Sequence, residues 1–395
     1  MEIKWRPGDT LWYYSQLFMV PLNLILDSNP NINSNKLAVS ESLQIPGFES
    51  QVHKIKQGDT LWKIAGARNI SVDSILLLNQ EVNPNNLKVG DKISVPNRII
   101  GRLVRGKKKY DYTTLQTDMN HLKEVFPFIK MHTIGKSVLG QNIDEIRIGN
   151  GKKKVHINAS FHANEWITTS VLMTFLNDFL LSLTNGTNMR NVRTMPLYQQ
   201  VDLSLVPMVN PDGVNLVLNG PPEREKEKII TINGGDSDFT GWKANIRGVD
   251  LNNQFPANWE IEKERKEPKA PAPRDYPGDT PLLEPESQVM AKLAEKEKFD
   301  RLLALHTQGK EFYWGYEGLE PAESRALADE FSRVSRYKAI QNVDSHAGYK
   351  DWFIQEFRKP GFTIELGKGI NPLPLSQFDE IYHDTAGIFL ASLYM

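Results

Sequence analysis

Three side chains in this sequence have the types and placement to hold a metal ion. His162 and Glu165 stand in Val155-His-Ile-Asn-Ala-Ser-Phe-His-Ala-Asn-Glu-Trp166, and His306 lies far downstream in Leu303-Ala-Leu-His-Thr307. Zn2+ takes nitrogen and oxygen ligands, and a catalytic site uses three protein ligands while leaving a fourth position open. Two histidines and a glutamate meet that description. Taken alone, His-x-x-Glu has a simpler reading: a structural histidine beside an acid that complements the positive end of a helix dipole. The rest of the chain decides between them.

The elements around these residues come next. A β-branched run ending in small residues, followed by an amphipathic stretch over 167–183, reads as a strand feeding a helix, with His162 and Glu165 at the join. Helical spacing also covers 112–126, 284–298, 321–337 and 376–393. Strand-like runs lie near 131–134, 144–148, 154–160, 201–209, 301–305 and 361–366. Asn210-Pro-Asp-Gly-Val214 is a strong turn signal, 223–228 reads as a polar loop, and 268–281 is a Pro-rich insertion after the segment over 242–256. Strands alternating with helices predict an α/β domain with a mixed, mostly parallel sheet. Sites in such sheets gather at the carboxyl ends of strands, where His162, Asn210, His306 and Glu365 all fall.

The chain has 395 residues, which predicts two or three domains, and a hydrophobic fraction of 40% suffices for true cores. A net charge of −1 gives no sign of nucleic acid or an anionic membrane as partner. There are no cysteines, so disulfides, thiol catalysis and Cys-ligated zinc are excluded together, and any metal site must be built from His, Asp and Glu. No apolar run is expected to reach the roughly 18 residues of a membrane span. The opening Met-Glu-Ile-Lys-Trp-Arg-Pro-Gly-Asp lacks the basic segment and apolar core of a signal peptide, which predicts a cytoplasmic or spore-associated protein.

The first hundred residues contain a repeat. Ile3-Lys-Trp-Arg-Pro-Gly-Asp-Thr-Leu-Trp12 returns as His53-Lys-Ile-Lys-Gln-Gly-Asp-Thr-Leu-Trp62, and Leu43-Gln-Ile-Pro46 as Ile93-Ser-Val-Pro96, both offset by 50 residues. Each copy reads as strand, Gly-Asp-Thr turn, helix, second helix near Ile25 or Ile75, Asn-rich loop and closing strand, with Thr10 and Thr60 as N-caps. The two copies resemble LysM modules, through Gly-Asp-Thr-Leu-Trp, Asn79 and Asn83-Pro-Asn85, Leu87-Lys-Val-Gly-Asp-Lys-Ile and the final Val-Pro. In the first copy Lys36-Leu-Ala-Val-Ser-Glu-Ser has lost the Val-Gly turn. The resemblance implies βααβ modules over 1–48 and 49–97 that bind N-acetylglucosamine-containing glycans such as peptidoglycan, with a basic linker over 98–109.

Residues 110–395 resemble the zinc carboxypeptidase family, the carboxypeptidase A-like metallopeptidases. The match consists of His162-Ala-Asn-Glu165, Asn210-Pro-Asp-Gly213, Gly248-Val-Asp-Leu-Asn252, His306 and Phe362-Thr-Ile-Glu-Leu366, in the family's order. It implies one Zn2+ per chain on His162, Glu165 and His306, with Glu365 as general base. The family's oxyanion arginine follows a Trp at the position of Trp242, where Lys243 stands here; Arg247, four residues on, is the other candidate and is slightly preferred for its two-donor guanidinium.

Two departures narrow the substrate. The family's Asn-Arg grip on a free C-terminal carboxylate has become Asn252-Asn253, which removes the bidentate clamp. No tyrosine matches the family's substrate-facing one, and His346 is a candidate replacement; Lys350 stands where the family's primary pocket chooses side chains and would suit a carboxylate. With glycan-binding repeats in front, the whole chain is similar to the γ-D-glutamyl-L-diamino acid endopeptidases of sporulating bacteria. That resemblance implies hydrolysis of the bond between γ-D-glutamate and the diamino acid of peptidoglycan stem peptides. The alternative is an ordinary zinc carboxypeptidase with LysM used only for localisation.

Overall fold

The computed structural model describes residues 1–32 and 42–395. The run expected to have lost its Val-Gly turn in the first repeat lies almost wholly outside the described residues. Two compact units emerge, one of Met1–Leu103, Asp118–Lys130 and Asn177–Met195, the other of Val104–Thr117, Met131–Leu176 and Pro196–Met395.

In the first unit each repeat is a strand pair enclosing two short helices. β1 (Glu2–Lys4) pairs antiparallel with β2 (Ser42–Gln44), and β3 (Phe48–Lys54) with β4 (Lys92–Arg98). The Gly-Asp-Thr turns act as the residue types dictate. Gly8 and Gly58 take φ of 86° and 81°, and Thr10 and Thr60 accept from the Tyr13 and Lys63 amides to start helices Leu11–Phe18 and Leu61–Arg68. Asn79 fastens the second helix to the closing strand, its Nδ2 donating to the Ile75 and Ser94 carbonyls and its Oδ1 accepting from the Ser94 amide. Asn29 repeats all three bonds with Ile25 and Gln44. Across the modules, Arg6 grips Asp73 with two bonds of 2.9 and 2.7 Å, and Tyr13 donates to the same carboxylate. The stretch expected as a linker is anchored here, Arg102 forming a two-bond pair with Asp178. A small hairpin, β8 (Asn188–Met189) with β9 (Val192–Arg193), completes the unit's strands.

The second unit is built on an eight-stranded sheet of order β13-β12-β14-β11-β7-β10-β6-β5. Its strands are β5 (Lys130–Lys136), β6 (Asn142–Ile148), β7 (Lys153–Asn158), β10 (Val201–Val206), β11 (Arg301–Thr307), β12 (Glu311–Tyr313), β13 (Lys338–Ile340) and β14 (Gly361–Leu366). The central pairs β10/β7, β7/β11 and β11/β14 are parallel, whereas β6 and β12 run antiparallel to their neighbours β10 and β14. Every residue of β11 is buried, as expected of a parallel strand covered on both faces. Ile157, Leu205, Leu303 and Ile364 form its centre at 0% exposure. Parallel register sets His306 directly opposite Glu365.

Several expectations shift. Asn210 begins a helix, Pro211–Asn219, rather than closing a turn, because its Oδ1 caps the Gly213 amide and proline suits the first helical position. The presumed polar loop is a 3-10 turn, Glu223–Glu225, running into helix Lys226–Ile232, with Ile229 supplying its buried contact. Helices Trp259–Arg265 and Tyr349–Phe357 and strands β12 and β13 carry no clear periodicity. Contrary to expectation, one segment, Ala163–Asn185, is long and apolar enough by composition to cross a membrane, with a mean hydropathy of 1.3; 94% of its most apolar 18-residue window is buried within the protein, as in a core helix.

Candidate metal centre

Local backbone chemistry places the first two ligands. β7 ends at Asn158, and the chain turns through Ser160, which takes a φ of 51°. That turn is held by Thr168 Oγ1, which accepts from the Ser160 amide, and by Asn210 Nδ2, which donates to the Phe161 and Ala244 carbonyls. His162 and Glu165 then bracket a single 3-10 turn ahead of helix Ile167–Asn185. His306 reaches the same point from the carboxyl end of β11.

His162, Glu165 and His306 are all buried, and one ligand atom from each lies within 4.8 Å of the others. His162 Nδ1 is 3.0 Å from both Glu165 Oε1 and His306 Nδ1, and His306 Nδ1 is 3.1 Å from Glu165 Oε2. Two imidazole nitrogens and a carboxylate converging away from water form the donor set that a divalent cation such as Zn2+ takes. Outer contacts fit the same occupant. His162 Nε2 is 3.2 Å from Asp250 Oδ1, which fixes the tautomer with its lone pair on Nδ1. Asn371 Nδ2 donates to Glu165 Oε1, and the Thr307 hydroxyl donates to Asn371 Oδ1.

The electrostatics follow from burial and neighbours. Burial would raise the Glu165 carboxyl, but His162 and His306 overcome it and hold the group at about 2. Burial first and Glu165 second push Glu365 well above the usual range, against the lowering effect of Lys243. Asp250, with no exposed surface, lies between His162 and Lys243, whose Nζ is 3.1 Å from its Oδ2. Against the burial penalty, Lys243 and His162 hold Asp250 well below the ordinary carboxylate range, and Asp250 and Asp275 hold Lys243 above the ordinary lysine one.

The centre opens into a cleft of about 340 Å³ lined by His162, Asn164, Glu165, Gly241, Lys243, Arg274, Thr307, Gln308, Tyr313, Glu365, Ile370 and Asn371. Of the two oxyanion candidates, Lys243 lines it and Arg247 does not. Arg247 is half-exposed, 3.5 Å from Glu284, because Asn245 Oδ1 accepts its amide and turns the loop outward. The four residues assigned to substrate also stand apart from the lining. Asn253 is buried in a turn, and Asn252 Oδ1 accepts from the Tyr349 amide. His346 Nδ1 is 3.1 Å from the Tyr316 hydroxyl, and Lys350 is buried on the Gly315 carbonyl, paired with Asp351 and lying 5.8 Å over the Tyr316 ring.

Arg274, Tyr313 and Asn371 belong to the site without a place in the sequence reading, and Asp250, inside the quoted Gly248-Val-Asp-Leu-Asn252, supports it without having been given a role. Asp250 carried a legible signal, an acid between Val249 and Leu251 in a buried segment. The others carried none, since their place depends on how distant loops fold.

Comparison with known proteins agrees with this arrangement. The zinc carboxypeptidase family profile matches residues 115–387, and the LysM domain profile matches 6–46 and 53–96. The chain is 61% identical over 397 residues, covering all of both chains, to gamma-D-glutamyl-L-diamino acid endopeptidase 1 of Lysinibacillus sphaericus. It is 49% identical over 297 residues to the uncharacterized protein YqgT of Bacillus subtilis (strain 168), covering 74% of this chain and 79% of that one. Among solved structures, bovine thrombin-activatable fibrinolysis inhibitor in complex with tick carboxypeptidase inhibitor shares the fold, with a TM-score of 0.56 at 17% identity over 73% of this chain and 97% of that one. This chain belongs to the zinc carboxypeptidase family and carries two LysM domains ahead of its metallopeptidase domain.

Proposed function

We propose that this protein is a zinc-dependent peptidoglycan peptidase that hydrolyses the bond between γ-D-glutamate and the diamino acid, diaminopimelate or lysine, of stem peptides. LysM modules over 1–48 and 49–97 hold it on glycan, 98–109 is a linker, and 110–395 is the catalytic domain. Its place of action is cell-wall material, reached from the cytoplasm or within the spore.

One observation carries the reading. His162, Glu165 and Glu365 line a single cleft, with His306 grouped behind the first two, and its other charged lining residues are the cations Lys243 and Arg274, a composition suited to a peptide rich in carboxylates. The activity named for the 61% identical relative supports the choice of bond. So does Asn253, an uncharged buried residue where removal of C-terminal residues calls for an arginine clamp.

His162, Glu165 and His306 would hold the Zn2+. When bound, the ion supplies a Lewis acid and lowers the pKa of a coordinated water to about 7. Glu365, kept basic by burial, takes the proton of the attacking water and passes it to the departing amine as the C–N bond breaks. Lys243, held cationic by Asp250 and Asp275, is the group that offsets charge on the carbonyl oxygen, and Asp250 orients His162.

The test is digestion of defined stem tri-, tetra- and pentapeptides, with the cut bond identified by mass spectrometry. We expect cleavage between γ-D-glutamate and the diamino acid, lost on chelation and in Glu365→Gln. Cleavage restricted to an ordinary L,L C-terminal bond would refute the proposal.

A further inference from the structure

The Pro-rich insertion over 268–281 is stitched onto the catalytic loop. The Pro273 carbonyl accepts from both the Lys243 and Ala244 amides, at 2.8 and 2.9 Å. The Ala272 amide donates to the Gly248 carbonyl, and the Tyr276 carbonyl accepts from the Asp250 amide. The loop passes so close that a Cβ on Gly248 would lie 2.9 Å from the Ala272 nitrogen, and Gly248 itself needs a φ of 77°. Gln254 secures the far side by donating to the Pro277 carbonyl. These bonds tie the insertion to the two residues, Lys243 and Asp250, that flank the metal ligands.

What the tether presents is Arg274. Its Nε is 3.1 Å from Asp275 Oδ2, its side chain is 62% exposed, and it lines the cleft together with His162, Glu165 and Glu365. Asp275 Oδ1 lies 3.6 Å from Lys243, so one carboxylate aligns both cations along one side of the cleft. Among the described residues its two terminal guanidinium nitrogens make no hydrogen bond, in the planar fork that matches a carboxylate.

We infer that Arg274 is a specificity-determining residue that binds the free α-carboxylate of the glutamate whose γ-carbonyl is cleaved. This rests on the proposed function and deepens it. A γ-linkage leaves that carboxylate on the acyl side, a few bonds from the scissile carbon, a place that only an acidic side chain fills in an α-linked peptide. Recognition by Arg274 therefore separates γ-glutamyl bonds from α-linked bonds that follow non-acidic residues, and puts the clamp on the opposite side of the scissile bond from the lost C-terminal one.

The experiment measures binding by calorimetry to zinc-loaded Glu365→Gln, with and without Arg274→Ala or Arg274→Lys, so that it does not depend on cleavage. The ligands are L-Ala-γ-D-Glu-diaminopimelate, its isoglutamine form with the glutamate α-carboxylate amidated, and a form amidated on diaminopimelate. Arg274→Ala is expected to weaken the free-carboxylate tripeptide about 10- to 100-fold and the isoglutamine form less than threefold, with Arg274→Lys in between. Because Arg274 is exposed and makes one ion pair among the described residues, its variants should unfold at the wild-type temperature. Equal losses on both peptides, a loss that tracks amidation of diaminopimelate, or no binding of the free-carboxylate tripeptide would each overturn the inference. If the wild type fails to cut the γ-glutamyl bond while binding still depends on Arg274, the proposed function fails and recognition of the glutamate α-carboxylate by Arg274 stands.

Discussion

Asp250 gives the sharpest test of how the centre is assembled. It has no exposed surface and is shared among His162 Nε2 at 3.2 Å, Lys243 Nζ at 3.1 Å and the Asn252 amide at 3.1 Å. Asp250→Asn keeps the shape and an acceptor oxygen but removes the charge. A unit charge pair at that separation is worth about 5 kcal/mol at an effective dielectric of 20, before desolvation is counted. Removing one partner of a buried pair costs about 3–5 kcal/mol, and the low end applies because Asp275, 3.6 Å from Lys243, still partners the ammonium. A separate effect falls on the metal. A neutral partner no longer fixes the His162 tautomer or raises its basicity, and losses of this kind run to about 10- to 100-fold in metal affinity. The assay is zinc competition against a chromophoric chelator, with thermal unfolding of the zinc-loaded and chelated protein alongside. Lys243→Met is the control, predicted to lower turnover while leaving zinc affinity within tenfold of wild type. Asp250→Asn that is destabilised yet binds zinc within twofold of wild type would refute the orienting role and leave Asp250 as a counter-ion to Lys243 alone.

Two further perturbations probe other parts of the molecule. Glu286 is buried against the Val138 amide and Asn245, and burial raises its carboxyl from 4.5 to about 7. The folded state binds this proton more tightly than the unfolded chain, so the group's contribution is fully present below about 4.5 and lost as pH rises through about 7. The shift corresponds to about 3 kcal/mol. Glu286→Gln should therefore gain stability over wild type in urea denaturation at pH 8 and little at pH 5, and equal differences at both would contradict the assignment. Trp12 and Trp62 occupy equivalent places in the repeats and are 63% and 80% exposed. An aromatic contact of about 0.5–1.5 kcal/mol predicts that Trp62→Ala weakens retention on insoluble peptidoglycan roughly threefold to tenfold. The double change with Trp12→Ala should weaken it further through lost avidity, and unchanged retention by the double variant would rule out these rings as glycan contacts.

What could be read in advance divides along a physical line. Strands β10, β11 and β14 are largely apolar and mostly buried on both faces, and β7 ends in the buried Val155-His-Ile-Asn158, so their residue types located them, and with them His162, His306 and Glu365 at or near their carboxyl ends. The repeat was legible because Thr10, Thr60, Asn29 and Asn79 act within their own modules, on amides and carbonyls a fixed number of residues away. Side chains carried by loops were not. Arg247 and Lys243 differ by four residues, and which of them faces the cleft depends on Asn245 turning one outward and Pro273 pinning the other, contacts made across a loop reversal. Lys350 looked like a pocket cation because no local pattern foretold that Asp351 and the Gly315 carbonyl would take up its charge. Arg274 was hidden for the complementary reason. It lies in a Pro-rich stretch whose composition reads as an insertion, and only the bonds from Pro273 and Tyr276 to the segment carrying Lys243 and Asp250 turn that insertion into a wall of the site. On the role proposed for Arg274, the same stretch supplies to the cleft the guanidinium that Asn253 does not.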